Sequence, residues 1–310
     1  MTPPSSAPPP SRDASSPTST ATPTATFAVA RDGTRLFVRR RNGASDLTAV
    51  LSDGIGCDGF IWKYLWDDLA PLVSVAHWNY RGHGRSGLPA DPKHVELVDH
   101  AYDLDAVRTA VGDPDVVLVG HSMGCQVSLE AYRLRPEKIR GLVLICGASG
   151  RITHTFKGTS VLAQILPRII ERVDAHPEIV RAIWGRVPSE MALRFAMLTG
   201  EVDARAVRVE DLRPYMKHMV DIDVPMFLRM LRSAGDHSAA DLLSQVNVPA
   251  LVIAGDRDTF TPPRYAEEMA AALPQGELLM VNGGTHASPI ERRELVRERI
   301  ERFLRERVGV

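Results

Sequence analysis

Gly120-His121-Ser122-Met123-Gly124 sets a serine between two glycines, directly after the apolar run Asp115-Val116-Val117-Leu118-Val119. A strand that breaks at a glycine and turns at once into a helix leaves such a serine at the apex, its hydroxyl outward and its backbone strained. Ser122 is therefore the candidate nucleophile. A serine hydroxyl attacks poorly at neutral pH, so it needs a base within hydrogen-bond reach, and that base needs an acceptor to fix its tautomer. Two aspartates, Asp256 and Asp258, follow the apolar run ending at Ala254; His286 follows the run ending near Val281, in a turn containing Gly283-Gly284. Singly, each is ordinary: an Asp after a strand is commonly a helix cap, and a His in a Gly-rich loop is commonly a surface residue. In the order Ser, Asp, His, each at the end of a strand, they predict a catalytic triad.

For these residues to meet, the segments carrying them must emerge at one edge of a sheet. Strands are expected over Thr48–Ser52, Leu72–Trp78, Val116–Val119, Gly141–Ile145, Ala250–Ala254 and Glu277–Val281, with helices between most of them. Over Asp99–Val111, for example, Leu104, Val107 and Val111 recur at helical spacing, and Val127, Leu129, Ala131 and Leu134 support a helix that stops before Pro136. Alternation of this kind predicts an α/β fold, a mainly parallel twisted sheet with helices on both faces, whose strands deliver their loops to the carboxyl edge where ligands bind. Phe27–Ala30 and Arg35–Arg39 flank Asp32-Gly33 and read as a hairpin at the sheet's edge. A closing helix is expected over Pro289–Val308, with Val296, Ile300, Phe303 and Leu304 on one stripe.

Two segments depart from the alternation. Residues 1–26 are nearly all Pro, Ser, Thr and Ala, a composition that buries too little apolar area to offset the entropy of ordering, and they are expected to be disordered. They contain neither a basic start nor an apolar stretch of signal-peptide type. Residues 151–240 interrupt the strands with a helical stretch rich in Leu, Ile and Met, which reads as an insertion into a core formed by 27–150 and 241–310.

The composition limits the possible functions. With 310 residues, 44% of them apolar, the chain can bury a large core, and a net charge of -1 gives no bias toward nucleic acid or an anionic membrane surface. No run is long enough to span a membrane. Cys57, Cys125 and Cys146 are odd in number and widely spaced, which suggests neither a disulfide framework nor a metal cluster. The expected setting is the cytoplasm, with no metal and no organic cofactor. Cys125, near the candidate nucleophile, reads as a small apolar helix residue.

The chain resembles the α/β-hydrolase superfamily, its serine esterase and lipase-like branch, over nearly all of residues 27–308. Beyond the G-x-S-x-G turn, Arg81-Gly82-His83-Gly84-Arg85-Ser86 is similar to the superfamily's R-G-x-G-x-S loop, and Gly255-Asp256-Arg257-Asp258 with Pro262 is similar to its G-x-x-D-x-x-x-P acid loop. The resemblance selects Asp258 as the triad acid and leaves Asp256 to stabilise its loop. It also makes 151–240 a cap over the site, and it names the backbone amides of Met123 and Ile55 as donors to the oxyanion, each contributing on the order of 3 kcal/mol. One departure stands out: where the family commonly has His-Gly, this chain has Asp53-Gly54. A carboxylate in an oxyanion hole would oppose catalysis, so Asp53 is expected to turn away and bond its own loop.

These readings predict an enzyme that cleaves a carboxylic ester with an apolar acyl or alcohol part through an acyl-enzyme. Ser122 would attack, His286 would move the protons while Asp258 holds its ring and stabilises the imidazolium, and the Ile55 and Met123 amides would hold the oxyanion. The partner is a small-molecule ester, with neither nucleic acid nor an integral membrane segment involved. Val161–Leu166, Phe195-Ala196-Met197-Leu198 and Met216, Met219, Met226 and Met230 suit an adaptable acyl pocket, or simply the packing of cap helices. Trp62, Trp66 and Trp78 read as packing residues, with Trp62 close enough to the oxyanion loop to line a pocket. The same triad serves lactonases, C–C bond hydrolases and perhydrolases, and the fold also serves ligand-binding receptors with a vestigial triad.

Overall fold

Strand β5 (Val116–His121) lies within the sheet and is buried along its whole length. Val116 and Leu118 point into one apolar layer, Val117 and Val119 into the other. A strand buried on both faces needs apolar residues at every position, which is why this segment reads as a continuous hydrophobic run. The computed structural model describes residues 22–154, 159–184, 186, 202–203 and 205–310.

Around β5 stand β1 (Thr24–Val29), β2 (Arg35–Arg41), β3 (Thr48–Ser52), β4 (Ser74–Trp78), β6 (Ile139–Ile145), β7 (Ala250–Gly255) and β8 (Gly276–Val281). They form one eight-stranded sheet in the order β1-β2-β4-β3-β5-β6-β7-β8. The β1/β2 and β2/β4 pairs are antiparallel; every later pair is parallel. The expected hairpin and parallel sheet are both present. Strand β1 begins at Thr24, inside the stretch expected to be disordered, because Thr24, Ala25 and Thr26 find backbone partners opposite Arg40, Arg39 and Val38. Residues 1–21 of that stretch lie outside the described residues.

Helices cover both faces. Helices α2 (Leu97–Ala110) and α3 (Met123–Leu134) contribute Leu104, Val107, Val127 and Leu129 to one layer. Helix α1 (Leu65–Leu69) and the C-terminal helix contribute Leu65, Leu69, Val296, Ile300 and Phe303 to the other. That last helix is broken where a continuous one is expected: α9 (Ser288–Glu291) gives way to α10 (Arg293–Phe303) and a wide turn over Leu304–Val308. The break is at Arg292, at φ -126° and ψ 47°. Its guanidinium bonds Asp203 at 3.0 Å and the Gly283 carbonyl at 3.1 Å, while Glu291 is drawn onto Thr285.

Between β6 and β7 run α4 (Val161–Ala175), α5 (Pro177–Trp184), α6 (Val209–Asp221) and α7 (Val224–Asp236); α8 (Pro263–Ala272) follows β7. Helix α6 is fastened to the turn Phe60–Trp62 and the residues after it. Phe60 stacks on Tyr215 with centroids 4.6 Å apart, and Asp211 accepts from Lys63 and from the Tyr64 hydroxyl. Among the described residues no helix is long and apolar enough to cross a membrane.

Candidate active site

The sequence direction of strand addition reverses at β3: β4 adds on one side of it and β5 on the other. The loops leaving β3 and β5 diverge there and leave a crevice at the carboxyl edge. Ser52, the last residue of β3, pairs with Gly120 of β5, so the Asp53–Cys57 loop and the Ser122 turn are neighbours across the crevice. Ser122 sits at φ 54° and ψ -118°, a conformation that a side chain rarely adopts, and is 8% exposed. The strain is sustained by its surroundings. The Ser122 amide donates to the Ile145 carbonyl at 2.9 Å, and Gly124 lies so close to β3 that an added Cβ would be 2.2 Å from the Ser52 carbonyl oxygen.

Asp258 and His286 arrive on the loops after β7 and β8. These loops are pressed together: a Cβ on Gly255 would meet the Gly284 carbonyl oxygen at 2.3 Å. His286 Nδ1 bonds Asp258 Oδ2 at 2.8 Å. Carboxylate oxygens only accept, so Nδ1 carries a proton, and in the neutral ring Nε2 is the acceptor. Asp258, 3% exposed, also accepts from the Thr261 hydroxyl at 2.8 Å and from the Phe260 and Thr261 amides at 2.9 Å each. Burial pushes its pKa upward, but the charge and hydrogen bond of His286 together with the Thr261 bonds outweigh this and hold the carboxyl below the ordinary value. Asp256 is exposed, and its Oδ1 accepts the Gly283 amide at 2.8 Å.

Ser122 and His286 are joined through His121. Its Nε2–H donates to the His286 carbonyl at 2.9 Å, and the two rings lie 4.9 Å apart. Burial first, and then the charge of His286, push His121 down to about 4, so its ring is neutral at neutral pH. Among the hydrogen bonds of the described residues, none links the Ser122 hydroxyl directly to His286 Nε2. Such bonds are often loose before substrate binds. The amides of Ile55 and Met123 have no hydrogen-bond partner among the described residues.

Asp53 turns away from the crevice, but it does not bond its own loop. Its Oδ2 meets His77 Nε2 of β4 at 2.8 Å, because β3 and β4 run in parallel register with Leu51 opposite His77. His83 holds the same loop from the other end: its Nδ1–H faces the Arg81 carbonyl at 3.0 Å and its Nε2 accepts the Gly56 amide at 3.3 Å. Arg81 grips Asp103 with two bonds of 2.8 and 2.6 Å and reaches Asp32 at 3.0 Å, which ties the hairpin turn to α2. The sequence singled out neither His77 nor Thr261; the Asp258-to-Thr261 spacing was the available cue, since an aspartate commonly accepts from the residues just after it in a turn.

Cys125 is fully buried and its thiol is pushed up to about 12. Trp62, Trp66 and Trp78 are core residues, and Met226 and Met230 are buried among apolar neighbours. Met219 is different: its sulfur lies 2.7 Å from where a Cβ on Gly56 would stand, beside the oxyanion loop. Phe195–Leu198 lie outside the described residues. Among those described, no cluster of His, Cys, Asp or Glu is arranged to hold a metal ion.

Residues 50–299 match the model of the alpha/beta hydrolase family. The chain belongs to that family. Its relatives include a protein of Pseudomonas syringae pv. syringae named "Putative carbamate hydrolase RutD", 28% identical over 249 residues that cover 78% of this chain and 88% of the relative. Another is the hydrolase YugF of Bacillus subtilis, 28% identical over 61% of this chain and 65% of the relative. Among solved structures, the esterase EaEST of Exiguobacterium antarcticum superposes with a TM-score of 0.73 at 20% identity, over 91% of this chain and all of that one. The enol-lactonase of Burkholderia xenovorans LB400 gives 0.69 at 22%, with the same coverage.

Proposed function

We propose that this alpha/beta hydrolase cleaves a carboxylic ester through an acyl-enzyme, with Ser122 as nucleophile, His286 as general base and then acid, and Asp258 as the group that orients His286. The observation carrying this reading is the 2.8 Å Asp258–His286 hydrogen bond, which places the proton of a neutral ring on Nδ1 and makes Nε2 the acceptor, on a loop tied through His121 to a serine held in a strained turn. In the first half-reaction Ser122 Oγ bonds the acyl carbon while its proton passes to Nε2. The alkoxide then leaves with that proton as the C–O bond breaks. In the second, water gives a proton to Nε2 and its oxygen to the acyl carbon, and Ser122 is released with the proton returned. The Ile55 and Met123 amides serve the oxyanion in both halves.

Residues 151–240 act as a cap. Helix α6 brings Met219 onto the oxyanion loop, and a thioether there suits an apolar group of variable shape. The expected substrate has an apolar acyl or alcohol part. Relatives named for carbamate and lactone chemistry supply the other bonds to assay.

Purified protein and its Ser122→Ala variant would be assayed on p-nitrophenyl esters of rising acyl length, then on lactones, carbamates and C–C substrates. Turnover that vanishes in the variant, with medium-length acyl groups preferred over acetate, is expected. A sharp preference for acetate would refute the apolar pocket. A folded protein inert to every substrate and to fluorophosphonate would refute the enzymatic reading and favour a binding module.

A further inference from the structure

We infer that Asp53 and His77 are a positioning pair for the oxyanion hole, a residue-level assignment that rests on the reaction proposed above. Asp53 is 0% exposed and His77 1%, and their 2.8 Å hydrogen bond joins β4 to the chain two residues before the Ile55 amide. A carboxylate and an imidazole placed in the core are costly unless they hold something, since an apolar pair of equal volume would pack there without desolvation.

What they hold is the backbone on one side of Ile55. Asp53 is fixed twice, through its carboxylate on His77 and through its carbonyl, which accepts the Tyr80 hydroxyl at 2.7 Å. On the other side the Gly56 amide is fixed by His83 at 3.3 Å, and the Cys57 amide closes back on the Gly54 carbonyl at 3.3 Å. His77, Tyr80 and His83 all come from β4 and the turn after it, so a single segment holds both sides of the Ile55 amide. The Ile55 amide, between these fixed points, has no protein partner among the described residues. A charge-bearing clamp also explains Arg39. Its guanidinium approaches the pair beside Gly59, where an added Cβ would be 2.7 Å from His77 Cε1 and 3.2 Å from Arg39 Nη2, and it offsets the charge of Asp53.

The pair acts on the transition state, because only there does the acyl oxygen carry the charge that the Ile55 amide receives. Asp53→Ala and His77→Phe would each lower kcat on the best ester about 30-fold and leave KM within about threefold. The double variant would be no worse than the poorer single, as expected of one unit. Asp53→Asn keeps an acceptor for His77 Nε2–H and would restore kcat to within about fivefold. A second readout needs no turnover: hydrogen exchange of the 53–57 amides would accelerate in Asp53→Ala while that of the 120–124 amides stays as in the wild type. Should the first two variants fail to fold, Tyr80→Phe removes one hydroxyl from the same clamp and is expected to cost about fivefold in kcat with the same exchange signature.

Unchanged kcat in the folded variants, equal effects on kcat and KM, or unaltered exchange at 53–57 would each overturn the assignment. If wild-type protein shows no Ser122-dependent turnover, the proposed reaction itself fails. The exchange measurement then still reports whether the clamp holds the loop, and unaltered exchange would remove it as well.

Discussion

Replacing Asp258 by Asn should disable the site, whereas the same change at Asp256 should scarcely be felt. Asp258 Oδ1 accepts two amides, and Oδ2 accepts the Thr261 hydroxyl and His286 Nδ1–H. An asparagine has one acceptor oxygen. Kept on the Phe260 and Thr261 amides, it turns its NH2 toward His286 Nδ1, which must then become the acceptor and send the ring proton to Nε2. In that tautomer Nε2 cannot take the serine proton, and no carboxylate remains to stabilise the imidazolium. The loss should be about 10³ to 10⁴-fold in kcat, or roughly 4 to 5.5 kcal/mol of transition-state stabilisation. Asp256 makes one bond of 2.8 Å to the Gly283 amide from an exposed position, and an asparagine oxygen can still accept it. Its variant should keep kcat within about threefold. Steady-state kinetics on a p-nitrophenyl ester, with both variants checked for wild-type circular dichroism, measure the contrast. Equal losses, or a larger loss for Asp256→Asn, would refute the assignment of the acid.

Three further outcomes follow from the geometry. His83 and His121 are buried and pushed down to about 4, so between that value and 6.5 the unfolded chain binds more protons, and stability falls on acidification. Urea unfolding at pH 7 and pH 5 should differ by about 2 kcal/mol for each histidine, and His83→Gln should remove its share; a variant with the full difference would contradict this. Gly124→Ala places a methyl 2.2 Å from the Ser52 carbonyl oxygen and 2.8 Å from that of Asp53, so it should cost about 2 to 3 kcal/mol in a denaturation experiment and lower kcat, whereas a neutral variant would show that the two loops are not in contact. Cys125 should resist iodoacetamide in the native protein and react only on unfolding, which peptide mass spectrometry can follow.

The parts of the site that depend on local sequence were legible, and the parts that depend on a neighbouring strand were not. Gly120 and Gly124 around Ser122, the apolar run Val116–Val119 of β5 and the Asp258 loop each announce themselves within a dozen residues. Asp53 is the contrary case. Its departure from the family pattern was visible, and so was the need for its carboxylate to face away. That it meets His77 depends on β3 lying beside β4 in a register that puts Leu51 opposite His77, and no pattern along the chain states that. The start of β1 at Thr24 has the same origin, since a Thr-rich stretch becomes a strand by pairing with β2. The closing helix was legible as an apolar stripe, but at its break Arg292 bonds Asp203, 89 residues away in sequence, and the Gly283 carbonyl.

The central claim is that Ser122 carries the acyl group. Mixing the protein with a slowly deacylating ester, quenching in acid within milliseconds and mapping the peptides by mass spectrometry should find the acyl mass on the peptide containing Ser122, and on none in Ser122→Ala. An acyl group on any other residue, or turnover at the wild-type rate in Ser122→Ala, would contradict it.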